Sequence, residues 1–168
     1  MKNQFLVLKF CCVFLLIFLC GLNLKAQSKK KLKKYQIKLV EEVITKKTES
    51  EDETFKDVLM KVDMEGNVIE TIQFKKDGSV KSKINCQYNK NGDLIQEEEF
   101  DGLGKLKGKK IMTYNIDGEK ITESEFDNLN KLLKKSINTY NAKGLKTDKL
   151  IYDGNGKIIS FKKYKYTN

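Results

Sequence analysis

Tyr88 to Gly118 reads YNKNGDLIQEEEFDGLGKLKGKKIMTYNIDG, and this stretch decides the fold. Gly92, Gly104 and Gly118 each close a short Asn/Asp-rich segment, and Tyr88, Phe100 and Tyr114 stand four residues before them. The spacing is 12 residues, then 14. Outward in both directions it continues through Gly66, Gly78, Gly144 and Gly156, with Asn130 in the one vacant slot. The matching residues are Val62, Phe74, Phe126, Tyr140 and Tyr152. A 26-residue internal repeat of two half-units therefore runs from Val62 to Tyr166.

Each half-unit reads as a turn followed by a strand. The turns KKDG, NKNG, DGLG, NIDG, DNLN, NAKG and DGNG usually open on Asp or Asn and close on a residue that tolerates positive φ. A type I turn followed by a left-handed residue and a bulge fits this chemistry. That turn makes the residue four before the glycine the partner of the residue two after it. The expected pairs are Val62–Val68, Phe74–Val80, Tyr88–Leu94, Phe100–Leu106, Tyr114–Lys120, Phe126–Leu132, Tyr140–Lys146 and Tyr152–Ile158. Most join an aromatic to an aliphatic side chain, a combination that supports sheets.

Because 12 and 14 are both even, simple alternation predicts that all these aromatics share one face, with Cys86 buried among them and Gly108 opposite Phe126. The other face is expected to alternate in charge. The register places Glu99 opposite Lys107 and Lys83, and sets Lys109 between Glu97 and Glu125. Polar residues in mid-strand make the core thin. The expected fold is all-β: about ten antiparallel strands in an up-and-down meander, as an open curved or partly closed sheet.

The rest of the chain leads up to this ladder. Residues 1–26 have the layout of a secretory signal peptide: Lys2 and Lys9, the apolar run Phe10 to Leu19, and a cleavage region ending at Ala26. An uncleaved anchor and a lipoprotein signal at Cys20 are the alternatives; Leu19 is a poor residue before a lipidated cysteine. The expected mature chain is secreted or extracytoplasmic, at the periplasm or envelope, with no integral membrane span. Its charge is near +7, from +10 less Lys2, Lys9 and Lys25, and Cys86 is its single cysteine. Residues 27–34 read as a flexible basic arm whose Lys29, Lys30, Lys31, Lys33 and Lys34 suit an anionic surface. Residues 35–62 read as an opening hairpin that caps the repeats, with a helix over 35–45 as the competing reading.

The Tyr-Asn/Asp-x-x-Gly-x-Leu units resemble the YD repeat of the Rhs family, most clearly at Tyr88–Leu94 and Tyr152–Ile158. MORN-type repeats are the second resemblance, through residues 104–108 and 114–118. Both imply strings of β-hairpins. The shell formed by large Rhs proteins is not carried over, because this sequence shows no cargo domain and too few strands.

Absences limit the chemistry further. There is no His, and every one of the 33 basic residues is Lys. Histidine triads and imidazole metal sites are excluded. A nucleic-acid role is disfavoured by export, by interleaved glutamates and by the lack of arginine. The cluster Glu97, Glu98, Glu99 and Asp101 admits a carboxylate-pair hydrolase, but charge-paired strand glutamates and a turn aspartate account for it better. The calcium-like string at Asp153 lacks its closing acid, with Tyr164 in that place. No catalytic, cofactor or metal residue is assigned. The expectation is a non-enzymatic repeat protein that binds a protein or polymer of the envelope. An immunity-like partner protein is the alternative.

Overall fold

A computed structural model describes residues 29–49 and 51–167. The expected signal peptide lies outside the described residues. Ten strands follow one another: β1 (Leu39–Lys46), β2 (Glu53–Val62), β3 (Val68–Phe74), β4 (Val80–Tyr88), β5 (Leu94–Asp101), β6 (Leu106–Tyr114), β7 (Lys120–Asp127), β8 (Leu132–Tyr140), β9 (Lys146–Asp153) and β10 (Ile158–Lys163). They form one sheet in sequence order, each antiparallel to the next. Among the described residues the meander does not close, and β1 and β10 each have a single neighbouring strand.

Turn chemistry sets this topology. All seven turn glycines have φ between +74° and +83°, and Asn130 takes their place at +62°. In each of the eight repeat turns the amide three residues before the closing residue donates to the carbonyl one after it. The closing residue's own amide donates back, at 2.8–3.2 Å throughout. In seven turns the leading Asp or Asn adds a second tie: its Oδ1 accepts from two following amides at 2.8–3.1 Å. The exception begins at Lys75, where Asp77 accepts instead from the Ser79 amide and hydroxyl. All eight expected cross-strand pairs form, Val62–Val68 through Tyr152–Ile158.

Beyond those pairs the register slips by one. Every repeat hairpin carries a bulge just after the turn, and an extra residue there reverses the alternation that an even spacing implies. Successive aromatics therefore point to opposite faces. Directly paired residues share a face, so the register puts Phe74, Phe100, Phe126 and Tyr152 on one face and Val62, Tyr88, Tyr114 and Tyr140 on the other. The single aromatic face expected from parity is corrected to two.

The same slip corrects other pairings. Gly108 stands opposite Asp127, not Phe126, and Lys109 takes the place opposite Phe126. Lys110, not Lys109, sits between Glu97 and Glu125. Glu99 lies between Ile84 and Gly108 in register, yet its carboxylate does bond Lys107, the bulge residue. Cys86 is half-buried beside Glu97, rather than enclosed by apolar side chains.

All the buried strand residues belong to the tyrosine face: Val58, Met60, Val62, Met112, Ser136 and Asn138. We call this the inner face and the opposite one the outer face. Among the described residues no side chain falls below 2% exposure, so the core is thin, as the polar mid-strand residues imply. No second layer covers the sheet among the described residues; strands contact their sequence neighbours.

The opening hairpin forms as β1 and β2, so the helical reading of 35–45 is set aside. The basic segment differs from expectation. Residues 29–34 form a short helix docked on the β2–β3 turn. A Cβ on Gly66 would lie 2.4 Å from the Lys29 carbonyl oxygen, so this glycine is needed for the approach as well as for its φ. Lys33 bonds Glu65, and Lys29 reaches the Gly92 carbonyl at 3.4 Å. The segment is a cap rather than a free arm.

Candidate functional site

Two rows of side chains cross the sheet, one on each face. On the outer face lysines from even-numbered strands lie over aromatics from odd-numbered ones: Lys56 over Phe74 at 5.5 Å, Lys83 over Phe100 at 4.9 Å, and Lys109 over Phe126 at 5.7 Å. The register continues the row to Lys135 opposite Tyr152. The slip in register creates these contacts, since it brings Lys83 and Lys109 opposite the rings. An ammonium over a ring face is held by the ring quadrupole, worth about 0.5–1 kcal/mol at exposed sites, and it keeps donors toward solvent.

On the inner face the tyrosines form a ladder that the sequence reading missed. Tyr88 donates to the Val68 carbonyl at 3.0 Å, Tyr114 to Leu94 at 2.8 Å, Tyr140 to Lys120 at 2.9 Å and Tyr166 to Lys146 at 2.8 Å. Each hydroxyl reaches the residue 20 positions earlier, the first residue of an odd strand. Burial raises the phenols of Tyr88, Tyr114 and Tyr140 above their ordinary range, so they remain donors. The signal was in the sequence: tyrosine occupies 88, 114, 140 and 166, one repeat apart, while phenylalanine holds 74, 100 and 126.

The inner face also carries the charged row Glu97, Lys110, Glu125, Lys134 and Asp153, alternating in sign from β5 to β9. Lys134 lies 3.5 Å from Glu125. Beside it, burial pushes the Glu123 carboxyl up, but the hydrogen bond and charge of Lys120, with Lys110 and Lys149, leave it below the usual glutamate range. Burial lowers Lys149 against the opposing pull of Glu123.

The suspected acidic cluster is dispersed by this geometry. Glu98 faces outward opposite Lys109, Glu97 and Glu99 face inward toward Lys110 and Lys107, and Asp101 binds turn amides. Asp153, the head of the calcium-like string, is likewise occupied with amides. Among the described residues no group of three or more acidic or sulfur side chains is arranged to hold a metal. An open depression of about 430 Å³ lies in the β1–β2 loop, lined by Thr48, Glu51, Asp52, Glu53 and Thr54. Asp52 bonds Lys47 there at 2.9 Å.

The basic helix keeps Lys29, Lys30, Lys31, Lys33 and Lys34 exposed. Lys33 and Lys29 are drawn to the sheet end, and Lys34 lies 5.3 Å from the Tyr35 ring. No described helix is long and apolar enough to cross a membrane.

No family model matches the chain, and no curated protein matches it. Three solved structures show distant likeness. A porin-like protein from Bacteroides uniformis is 16% identical over 78% of this chain and 52% of its own, with a TM-score of 0.33. TarM is 19% identical over 88% and 27%, with a TM-score of 0.30. A GtfA/B complex bound to UDP and GlcNAc is 17% identical over 73% and 24%, with a TM-score of 0.26. The chain spans about half the length of the first and about a quarter of the other two.

Proposed function

We propose that the chain is an exported, non-enzymatic β-repeat protein that binds an anionic polymer of the cell envelope through its outer lysine–aromatic row. The observation that carries this reading is the recurrence of one contact, Lys83–Phe100 and Lys109–Phe126, at one-repeat spacing on a continuous sheet. Strands two apart stand roughly 10 Å from each other, so the row is a line of cations at regular intervals. A lysine already lying over a ring loses less freedom on binding than a free one. The basic helix at 29–34 adds a separate cluster of exposed lysines at the opposite end of the strands, on the β2–β3 turn. The resemblance to YD repeats supports the architecture alone. The acidic strand residues need no catalytic role, because lysines answer them across the sheet.

The test is co-sedimentation of the purified protein with isolated envelope material at about 50 and 500 mM salt, where screening differs severalfold. The protein should pellet at low salt and be released at high salt. The triple variant Lys83→Glu, Lys109→Glu and Lys135→Glu should stay in the supernatant at both. Wild type that stays soluble at low salt, or a triple variant that pellets equally well, overturns the proposal.

A further inference from the structure

We infer that copies of this chain add head to tail, β10 of one pairing with β1 of the next. This goes beyond polymer binding and does not depend on it. Three independent properties of the two open edges meet in one register.

The first is direction and backbone phase. Ten strands is an even number, so β1 and β10 run antiparallel, and joining them continues the alternation. The Val62 amide bonds the Lys38 carbonyl at 2.9 Å, which turns the peptide groups of Leu39, Glu41 and Val43 toward the free edge. The Tyr164 amide bonds the Thr147 carbonyl at 2.9 Å, which turns those of Phe161 and Lys163 outward. Edge hydrogen bonding therefore requires odd residues opposite odd residues.

The second is charge. β6 and β8 carry two or three lysines and no acid, and Lys109, Lys110 and Lys134 stand opposite the acids Glu98, Glu97 and Glu125 of β5 and β7. β10 carries Lys162 and Lys163 with one side open, while β1 offers Glu41 and Glu42 on its own open side. Placing Lys163 opposite Glu41 puts Lys162 opposite Glu42 and satisfies the odd-to-odd rule. Glu41 already holds Lys56 at 3.0 Å; it would then stand between two lysines, a mirror of Lys110 between two glutamates.

The third is apolar pairing and facing. The same register sets Phe161, 58% exposed, against Val43, 50% exposed. It keeps the outer residues Phe161 and Lys163 with the outer residues Val43 and Glu41, so the faces continue across the joint. A two-fold pairing of like edges offers no such complement, since it brings two lysine-bearing β10 strands or two glutamate-bearing β1 strands side by side. Edge lysines also deter random strand addition, which makes an acidic edge the fitting occupant. A head-to-tail contact of this kind repeats, giving rings or filaments.

Sedimentation velocity of the purified protein at rising concentration, without envelope material, tests the inference. Mass should grow beyond the dimer in single-chain steps. Glu41→Lys/Glu42→Lys and Lys162→Glu/Lys163→Glu should each be folded monomers by circular dichroism, with association weakened roughly tenfold or more. Mixing the two should restore assembly, because each supplies the edge the other needs. If the first variant does not fold, the second alone still decides by its mass. A wild type that stays monomeric up to about 0.2 mM, well above a micromolar dissociation constant, overturns the inference. So does one that stops at a dimer, or a charge-reversed variant that assembles unchanged.

Discussion

The two ends of the sheet are built from the same hairpin and finish it differently. At the tyrosine end, the carbonyl that begins each odd strand from β3 to β9 accepts a phenol from the next strand's end or, at Lys146, from Tyr166 beyond β10. At the phenylalanine end, the matching carbonyls of Val80 and Leu132 lie against bare glycine. A Cβ on Gly102 would come within 2.2 Å of the Val80 oxygen, and one on Gly154 within 2.1 Å of the Leu132 oxygen. The rings at that end stay on the outer face under lysines. One bulge per half-unit separates these outcomes. It sends every second aromatic inward, where a hydroxyl is needed to serve a carbonyl in a thin core, and leaves the rest outward, where a plain ring suffices.

The sharpest way to break the phenylalanine end is to fill its tightest approach. Gly102→Ala should cost about 2 kcal/mol or more, since the carbonyl it meets belongs to the backbone and cannot swing away. Gly104→Ala, two residues on, has open space around its Cβ and only the strain of φ +81° to bear. It should cost roughly 1 kcal/mol. Denaturant unfolding of the two variants checks the order. Equal losses would mean that the turn conformation, and not close approach, governs this end.

The tyrosine end is tested by removing one oxygen. Tyr114→Phe takes the donor from the Leu94 carbonyl and leaves it unserved on the inner face, with an expected loss of about 1 kcal/mol. Phe126→Tyr adds an oxygen at the outer face and should stay within about 0.5 kcal/mol of wild type. The difference between the two variants, measured on the same unfolding axis, reads the assignment of faces directly. Similar losses from both would return the aromatics to a single face.

Much of this was legible in the sequence, and the division is physical. Turns are local, and Asn89-Lys90-Asn91-Gly92 specifies its own hydrogen bonds, so the ladder, the eight pairs next to the turns and the antiparallel meander follow from turn residues and their spacing. A bulge is hidden in an even count. The G1-type turn implies an extra residue, but simple alternation carried past it put Lys109 where Lys110 stands. Every facing error came from that single step. The docked helix at 29–34 was illegible for another reason: its anchor is the bare surface of Gly66, which looks like any other turn glycine in the repeat.

The smallest expected effect separates the two neighbouring lysines on which the register turns. Lys110→Glu would set three carboxylates in a row across β5, β6 and β7, Glu97 on one side and Glu125 on the other. Directly opposed like charges at part-exposed positions should cost about 1 kcal/mol at low salt, and most of that should vanish by about 0.5 M as screening grows. Lys109→Glu meets Phe126 on one side and Glu98 on the other. It forfeits the ring contact and gains one repulsion, for an expected loss of about 0.5 kcal/mol. The salt dependence is the better readout, because only the inner-face substitution adds two repulsions at once. A steeper salt response for Lys109→Glu would place that lysine between the glutamates, remove the bulge from the β5–β6 hairpin, and put the rings and the tyrosines back on one face.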